Sequence, residues 1–144
     1  MAAELSRLWT LTAVYFSVKM AKTITVFGST GAQGGGVVRA LLNSTGYSVR
    51  AVTRDSTSAK AVALKEKGCE VVEANLDDAE SIRNAIKGTY GVFLVTNYWQ
   101  DLDKQKEIDQ GKRAAAICKE EGIKHLIYSG LERVDKILGI PCGM

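Results

Sequence analysis

Residues 23–42 read TITVFGSTGAQGGGVVRALL. Thr23 to Phe27 is a run of β-branched and aromatic side chains, the composition of a buried strand. Glycines follow at Gly28, Gly31 and Gly34, and beyond them Val37, Val38, Leu41 and Leu42 recur at helical spacing. Strand, G-x-x-G-x-x-G turn and helix form the context in which a backbone cradles the pyrophosphate of a dinucleotide. Gly28 lets the chain leave the strand through angles closed to other residues. Gly31 removes a Cβ where phosphates would approach, and Gly34 lets the helix sit close to the sheet. The first amides of that helix have no partner within it, and its dipole places partial positive charge at the same end. Ser29, Thr30 and Gln33 add side-chain donors around the turn. The competing reading, a glycine-rich turn without a ligand, is disfavoured by the strand and helix on either side.

Outward from this stretch, strands and helices alternate. Tyr47 to Thr53 (YSVRAVT) is the second strand, and Arg54 closes it. At this strand end a carboxylate hydrogen-bonds an adenosine 2′-hydroxyl, whereas an arginine holds a 2′-phosphate in a planar fork of charge-assisted bonds. Arg54 therefore favours NADP over NAD. Asp55 is the competing carboxylate one residue on, and a solvated strand-end charge is the alternative reading of Arg54.

Ser56 to Lys67 reads as the second helix, capped by Ser or Thr and closed by Gly68, and Cys69 to Glu73 as the third strand. Asn75 stands at its end, placed to meet an adenine edge, and Asp77 or Asp78 caps a third helix. Gly91 to Val95 is unbroken in its apolarity and reads as a fourth strand buried on both faces. It runs into Thr96, Asn97, Tyr98 and Trp99, which border the crevice where the strand order reverses. Asp101 to Gly122 is a long helix with Ile108, Ala115 and Ile117 towards the sheet, and Lys124 to Tyr128 is the fifth strand. The pattern requires an α/β, Rossmann-type doubly wound parallel sheet with right-handed crossovers, and the expected order is 3-2-1-4-5.

The chain has 144 residues, 46% hydrophobic and 24% charged, enough for one domain with a core. Its net charge of +3 is spread along the predicted helices without a basic stripe, so direct nucleic-acid binding is not expected. Cys69, Cys118 and Cys142 are widely spaced and accompany a single histidine, His125, which reads as a structural or surface residue. That set implies neither a metal site nor a disulfide framework, and it suits reduced thiols in the cytoplasm. Residues 1–19 read as an N-terminal extension before a domain that opens at Met20. The apolar part of this extension, Leu8 to Val18, is too short to span a bilayer, and no membrane association is expected.

Taken together, GSTGAQGG, VTR, VTNYW and YSGLE resemble the NmrA-like family, atypical members of the short-chain dehydrogenase/reductase superfamily, from about Lys22 to about Glu132. The resemblance implies that Gly28, Ser29, Thr30, Gly31, Ala32, Gln33, Gly34 and Arg54 bind NADP. It also implies that Asn75, Leu76, Thr96, Asn97 and Tyr98 line the site, Asn75 standing where members usually carry an aspartate. It further implies an NADP(H)-sensing regulator of transcription, cytoplasmic and also nuclear, that binds a protein partner according to redox state. Short-chain dehydrogenases use a Tyr-x-x-x-Lys pair as their acid, and the only such pair in this sequence is Tyr15 with Lys19, upstream of the glycine turn. The expectation is therefore binding without turnover, the alternative being an NADP-dependent oxidoreductase of the atypical short-chain class. The domain is expected to cover residues 20–132, followed by a divergent tail, 133–144. On that reading the fold is truncated, without the family's C-terminal strands and second lobe. The fifth strand's edge is then left open to pairing with another chain, a homodimer included, and dinucleotide affinity is weakened.

Overall fold

The apolar runs of the inner strands are buried between two neighbouring strands and helices on both faces of the sheet. The computed structural model describes residues 21–97 and 102–130. Within them the elements are β1 (Lys22–Val26), α1 (Ala32–Leu42), β2 (Tyr47–Thr53), α2 (Ala59–Glu66), β3 (Glu70–Glu73), α3 (Ala79–Ile86), β4 (Gly91–Val95), α4 (Lys104–Glu120) and β5 (His125–Ser129). The sheet order is β3-β2-β1-β4-β5, as expected, and every pairing is parallel. Ile24 of β1 stands between Val49 of β2 and Gly91 of β4, so β1 is the central strand.

Alternation along the strands sends successive side chains to opposite faces. On one face Val26, Val49, Ala51 and Phe93 pack with Val38 of α1 and Cys69. On the other, Val52, Val92 and Leu94 pack with Ile82, Ala85 and Ile86 of α3 and with Ala114, Ile117 and Cys118 of α4. β4 is buried along Gly91 to Leu94, as its unbroken apolarity implied. Arg50 reaches the α3 face, where its Nη1 donates to the Ala85 and Lys87 carbonyls, both at 2.9 Å, and its Nε to Glu70 at 2.8 Å. One guanidinium thus finishes the end of α3 and ties β2 to β3.

The helices depart from expectation at their starts. α2 begins at Ala59 rather than Ser56, because the Ser58 hydroxyl caps it by accepting from the Ala61 amide. α4 begins at Lys104 rather than Asp101, because Asp103 accepts from the Gln105 and Lys106 amides. Its inward face is Ala114, Ile117 and Cys118, whereas Ile108 and Ala115 lie outside. Positions two apart on a helix differ by about 200°, so Ala115 and Ile117 cannot share a face. Asp78, not Asp77, caps α3.

The two sheet edges differ. β3 carries Glu70 and Glu73, while β5 leaves Leu126, Ile127 and Tyr128 exposed. Cys69 and Cys118 are buried free thiols, and Cys142 lies outside the described residues. Among the described residues no helix is long and apolar enough to cross a membrane.

Candidate functional site

The glycine turn sits where β1 ends. Gly28 has φ +63°, and a Cβ there would lie 2.7 Å from Val95 Cγ1. A Cβ on Gly34 would lie 2.2 Å from the Gly28 carbonyl oxygen, so α1 rests directly on the turn. Gly31 is extended, at φ −89° and ψ 179°, and serves as the N-cap of α1 without a side chain to cap it. The Gly31 amide donates to the Gly28 carbonyl, and the first helical bond runs from Gly35 N to Gly31 O. The amides of Ala32, Gln33 and Gly34 therefore have no partner within α1. No acidic residue stands in the first turn of α1, whereas α2, α3 and α4 are capped by Ser58, Asp78 and Asp103.

These amides border a crevice of about 680 Å³ at the carboxyl ends of β1, β2 and β4. Its size falls within the range of small-molecule sites. Gly28, Thr30, Gly31, Ala32, Gln33 and Gly34 line one side, Arg54 with Asn75 and Leu76 a second, and Thr96 with Asn97 a third. Those candidates, scattered over seventy positions of sequence, meet in one place. Two do not. Ser29 is buried, and its hydroxyl donates to the Val52 carbonyl at 2.7 Å, so it braces the turn and offers no donor to the crevice. Tyr98, like Trp99, lies outside the described residues. Gln33 lines the crevice and also accepts from the Ser129 hydroxyl at the end of β5.

On the β2 side, Asp55 is hydrogen-bonded within its own loop. Asp55 Oδ1 accepts from the Thr57 hydroxyl at 2.5 Å and the Thr57 amide at 2.8 Å. The bonds from Thr57, its hydroxyl first, hold the Asp55 carboxyl below the usual carboxylate range. Asp55 nonetheless lines the crevice next to Arg54. Lys60, in the first turn of α2, lines the crevice beside Arg54 and was not singled out by the sequence. The signal that would have found it is Ser58 as N-cap, which fixes Lys60 in the first turn facing the same strand end. A smaller hollow of about 300 Å³ adjoins Arg54 and runs between Glu73, Asn75 and Asp78.

α4 braces the far wall. Gln110 donates to Asp77 Oδ1 at 2.8 Å, Lys106 pairs with Asp77 Oδ2 at 3.4 Å, and Arg113 donates to the Leu76 carbonyl at 2.8 Å. The bond from Gln110, ahead of the contacts from Lys106, holds the Asp77 carboxyl below its usual value. Asn75 Oδ1 accepts from the Asp77 amide at 3.0 Å, which fixes the loop after β3. Among the described residues no cluster of His, Cys, Asp and Glu is placed to hold a metal ion.

The NmrA-like family profile matches residues 20–141. The chain belongs to the NmrA-like family. The NmrA-like family domain-containing oxidoreductase himF of Aspergillus japonicus is 37% identical over 124 residues, covering 84% of this chain and 38% of himF. The NmrA-like chain thus spans under two fifths of that relative's length. Among solved structures, the Citrobacter sp. triphenylmethane reductase complexed with NADP(H) matches with a TM-score of 0.69 at 26% identity, over 79% of this chain and 39% of the reductase. NmrA, a negative transcriptional regulator in complex with NADP, matches with a TM-score of 0.69 at 27% identity, over 85% and 36% respectively. The same regulator is also solved with NAD. Like these neighbours, the NmrA-like chain has an α/β, Rossmann-like fold.

Proposed function

We propose that this NmrA-like chain binds NADP(H) in the crevice and responds to its redox state by engaging a protein partner, without turning the cofactor over. The supporting observation is the convergence of the α1 amides, Arg54 and Thr96 on one crevice at the switch point between β1 and β4. The residues fit the group. A Cβ at Gly34 would fill the space between turn and helix, the α1 amides suit a pyrophosphate, and Arg54 with Lys60 suits a 2′-phosphate. Asp55 also lines the crevice, but its Oδ1 already accepts two bonds from Thr57 and is less free to meet an NAD ribose. When bound, NADP(H) supplies hydride exchange at its nicotinamide. The chain's own part is to hold the phosphates and orient the remainder.

The second reading, an NADP-dependent oxidoreductase, is favoured by the names of relatives such as himF and the triphenylmethane reductase. Against it, the one Tyr-x-x-x-Lys pair in the sequence, Tyr15 with Lys19, precedes the glycine turn and lies among residues the structure does not describe.

Calorimetric titration of the full chain with NADP⁺ and NAD⁺ tests the leading reading. A charge-assisted Arg–phosphate pair should make NADP⁺ bind about tenfold or more tighter, and Arg54→Ala should erase the difference. Equal affinity for both dinucleotides in the unaltered chain would remove the role given to Arg54. Loss of the reduced-nicotinamide absorbance band on addition of a quinone or dye would favour the oxidoreductase reading over the sensor.

A further inference from the structure

The far wall of the crevice carries a hydrogen-bonded set that the glycine turn and Arg54 do not explain. Thr96 leaves the carboxyl end of β4 and lines the crevice. Its hydroxyl donates to Glu107 Oε1 at 2.6 Å, the length of a bond to a carboxylate. Tyr128, near the end of β5, brings its hydroxyl to 3.2 Å from the same Thr96 oxygen. Glu107 stands in the first turn of α4, where the helix end suits negative charge. Neither Glu107 nor Tyr128 lines the crevice itself.

A hydroxyl has one proton and two acceptor positions. With its proton committed to Glu107, Thr96 can only accept. Tyr128 then donates into one acceptor position and leaves the second for a ligand. We propose that Glu107 is a positioning residue that makes Thr96 an obligate acceptor in the crevice, selecting an N–H or O–H donor on the nicotinamide-riboside half of the dinucleotide. The assignment to that half follows from the layout. Arg54 at β2 takes the adenosine end and the α1 amides the pyrophosphate, which leaves the part beyond it over β4 and Thr96. A ribose hydroxyl and a carboxamide N–H are the donors that half offers. The inference rests on the dinucleotide reading given above.

The test compares NADP⁺ with adenosine 2′,5′-bisphosphate, which carries the adenosine and 2′-phosphate but no nicotinamide riboside, by calorimetry on the full chain. Glu107→Leu removes the acceptor and frees Thr96 to donate, so NADP⁺ affinity should fall about tenfold while the bisphosphate stays within about twofold. Thr96→Val, which removes the hydroxyl alone, should show the same loss on NADP⁺. Adding Glu107→Leu to it should then change NADP⁺ affinity by less than about twofold, because the two residues act as one unit. Thr96→Ser, keeping the hydroxyl, should restore wild-type binding. Equal losses on both ligands in Glu107→Leu would mark a merely structural residue and overturn the proposal, as would wild-type NADP⁺ affinity in that variant or full additivity in the double variant. An unaltered chain that binds both ligands equally sinks the Glu107 assignment and spares the dinucleotide reading. One that binds neither sinks both.

Discussion

Replacing Gly34 with alanine puts a methyl group 2.2 Å from the Gly28 carbonyl oxygen, 2.6 Å from its carbon and 2.8 Å from the Phe27 carbonyl oxygen. All three neighbours are backbone, so no rotamer change relieves the overlap. The start of α1 must move away from β1 until the contact opens past 3.0 Å. That movement strains the Gly31 N to Gly28 O bond of 2.9 Å and loosens Val38, the wholly buried residue that α1 packs on the sheet. Overpacking of this kind costs about 1–3 kcal/mol, and loosening one hydrogen bond adds about 1 kcal/mol. A total of about 3 kcal/mol lowers the melting temperature by roughly 12 °C for a domain of this size. Gly31→Ala is the matched control. Its Cβ would sit 3.3 Å from the Gly28 oxygen at an ordinary extended φ, and an alanine N-cap costs about 1 kcal/mol. The two variants should therefore separate: Gly34→Ala loses the fold's stability, and Gly31→Ala keeps it but obstructs the phosphate approach. Thermal unfolding followed by circular dichroism, without nucleotide, reads the first effect, and NADP⁺ titration of Gly31→Ala reads the second. A Gly34→Ala chain that melts cooperatively within roughly 4 °C of the parent would refute the close approach of α1 to the turn.

Arg50→Met keeps the apolar stem but strips the donors from the Ala85 and Lys87 carbonyls, and should cost about 1–3 kcal/mol in urea unfolding; an unchanged midpoint would show that solvent satisfies both carbonyls. Acid should destabilise the chain through Asp55, Glu73 and Asp77, whose carboxyls are held below their usual values of 3.8, 4.5 and 3.8 by hydrogen bonds from Thr57, Ser56 and Gln110. A lowered folded value gives stability that is present above the unfolded value and lost as pH falls through the folded one, so the urea midpoint should drop below about pH 4. A midpoint that stays flat to about pH 2 would contradict this. At the alkaline end, burial pushes the Cys118 thiol from 9.0 to about 11, so its contribution is complete below pH 9.0 and lost as pH rises towards about 11. Cys118→Ala should flatten that alkaline slope, and a slope unchanged by the substitution would assign it to other groups.

The fold was legible because its signals are local and repeated. Five apolar runs separated by helical stretches permit little besides a parallel sheet, and the glycine turn identifies β1 as the central strand. Helix starts were less legible, since Ser56, Thr57 and Ser58 are all fit to cap and only the packed chain selects Ser58. The inward face of α4 was misread because alanines at 114, 115 and 116 leave the helical phase undetermined by composition. At the site, the turn and Arg54 were readable from their neighbours in sequence. Lys60 and Gln110 were not, because their place in the crevice comes from helices whose phase the sequence left open. Ser29 was misassigned for the opposite reason. Its position in the turn was right, but its bond to Val52 crosses twenty-three residues and has no local sign.

That bond has a consequence of its own. Val52 lies two residues before Arg54, so a single serine hydroxyl links the loop that would grip one phosphate group to the strand end that would grip another. The two grips are thereby set at a fixed separation, like the jaws of a caliper locked at one reading. A ligand whose phosphates match that reading meets a gauge already made, and the ordering cost of binding is correspondingly small.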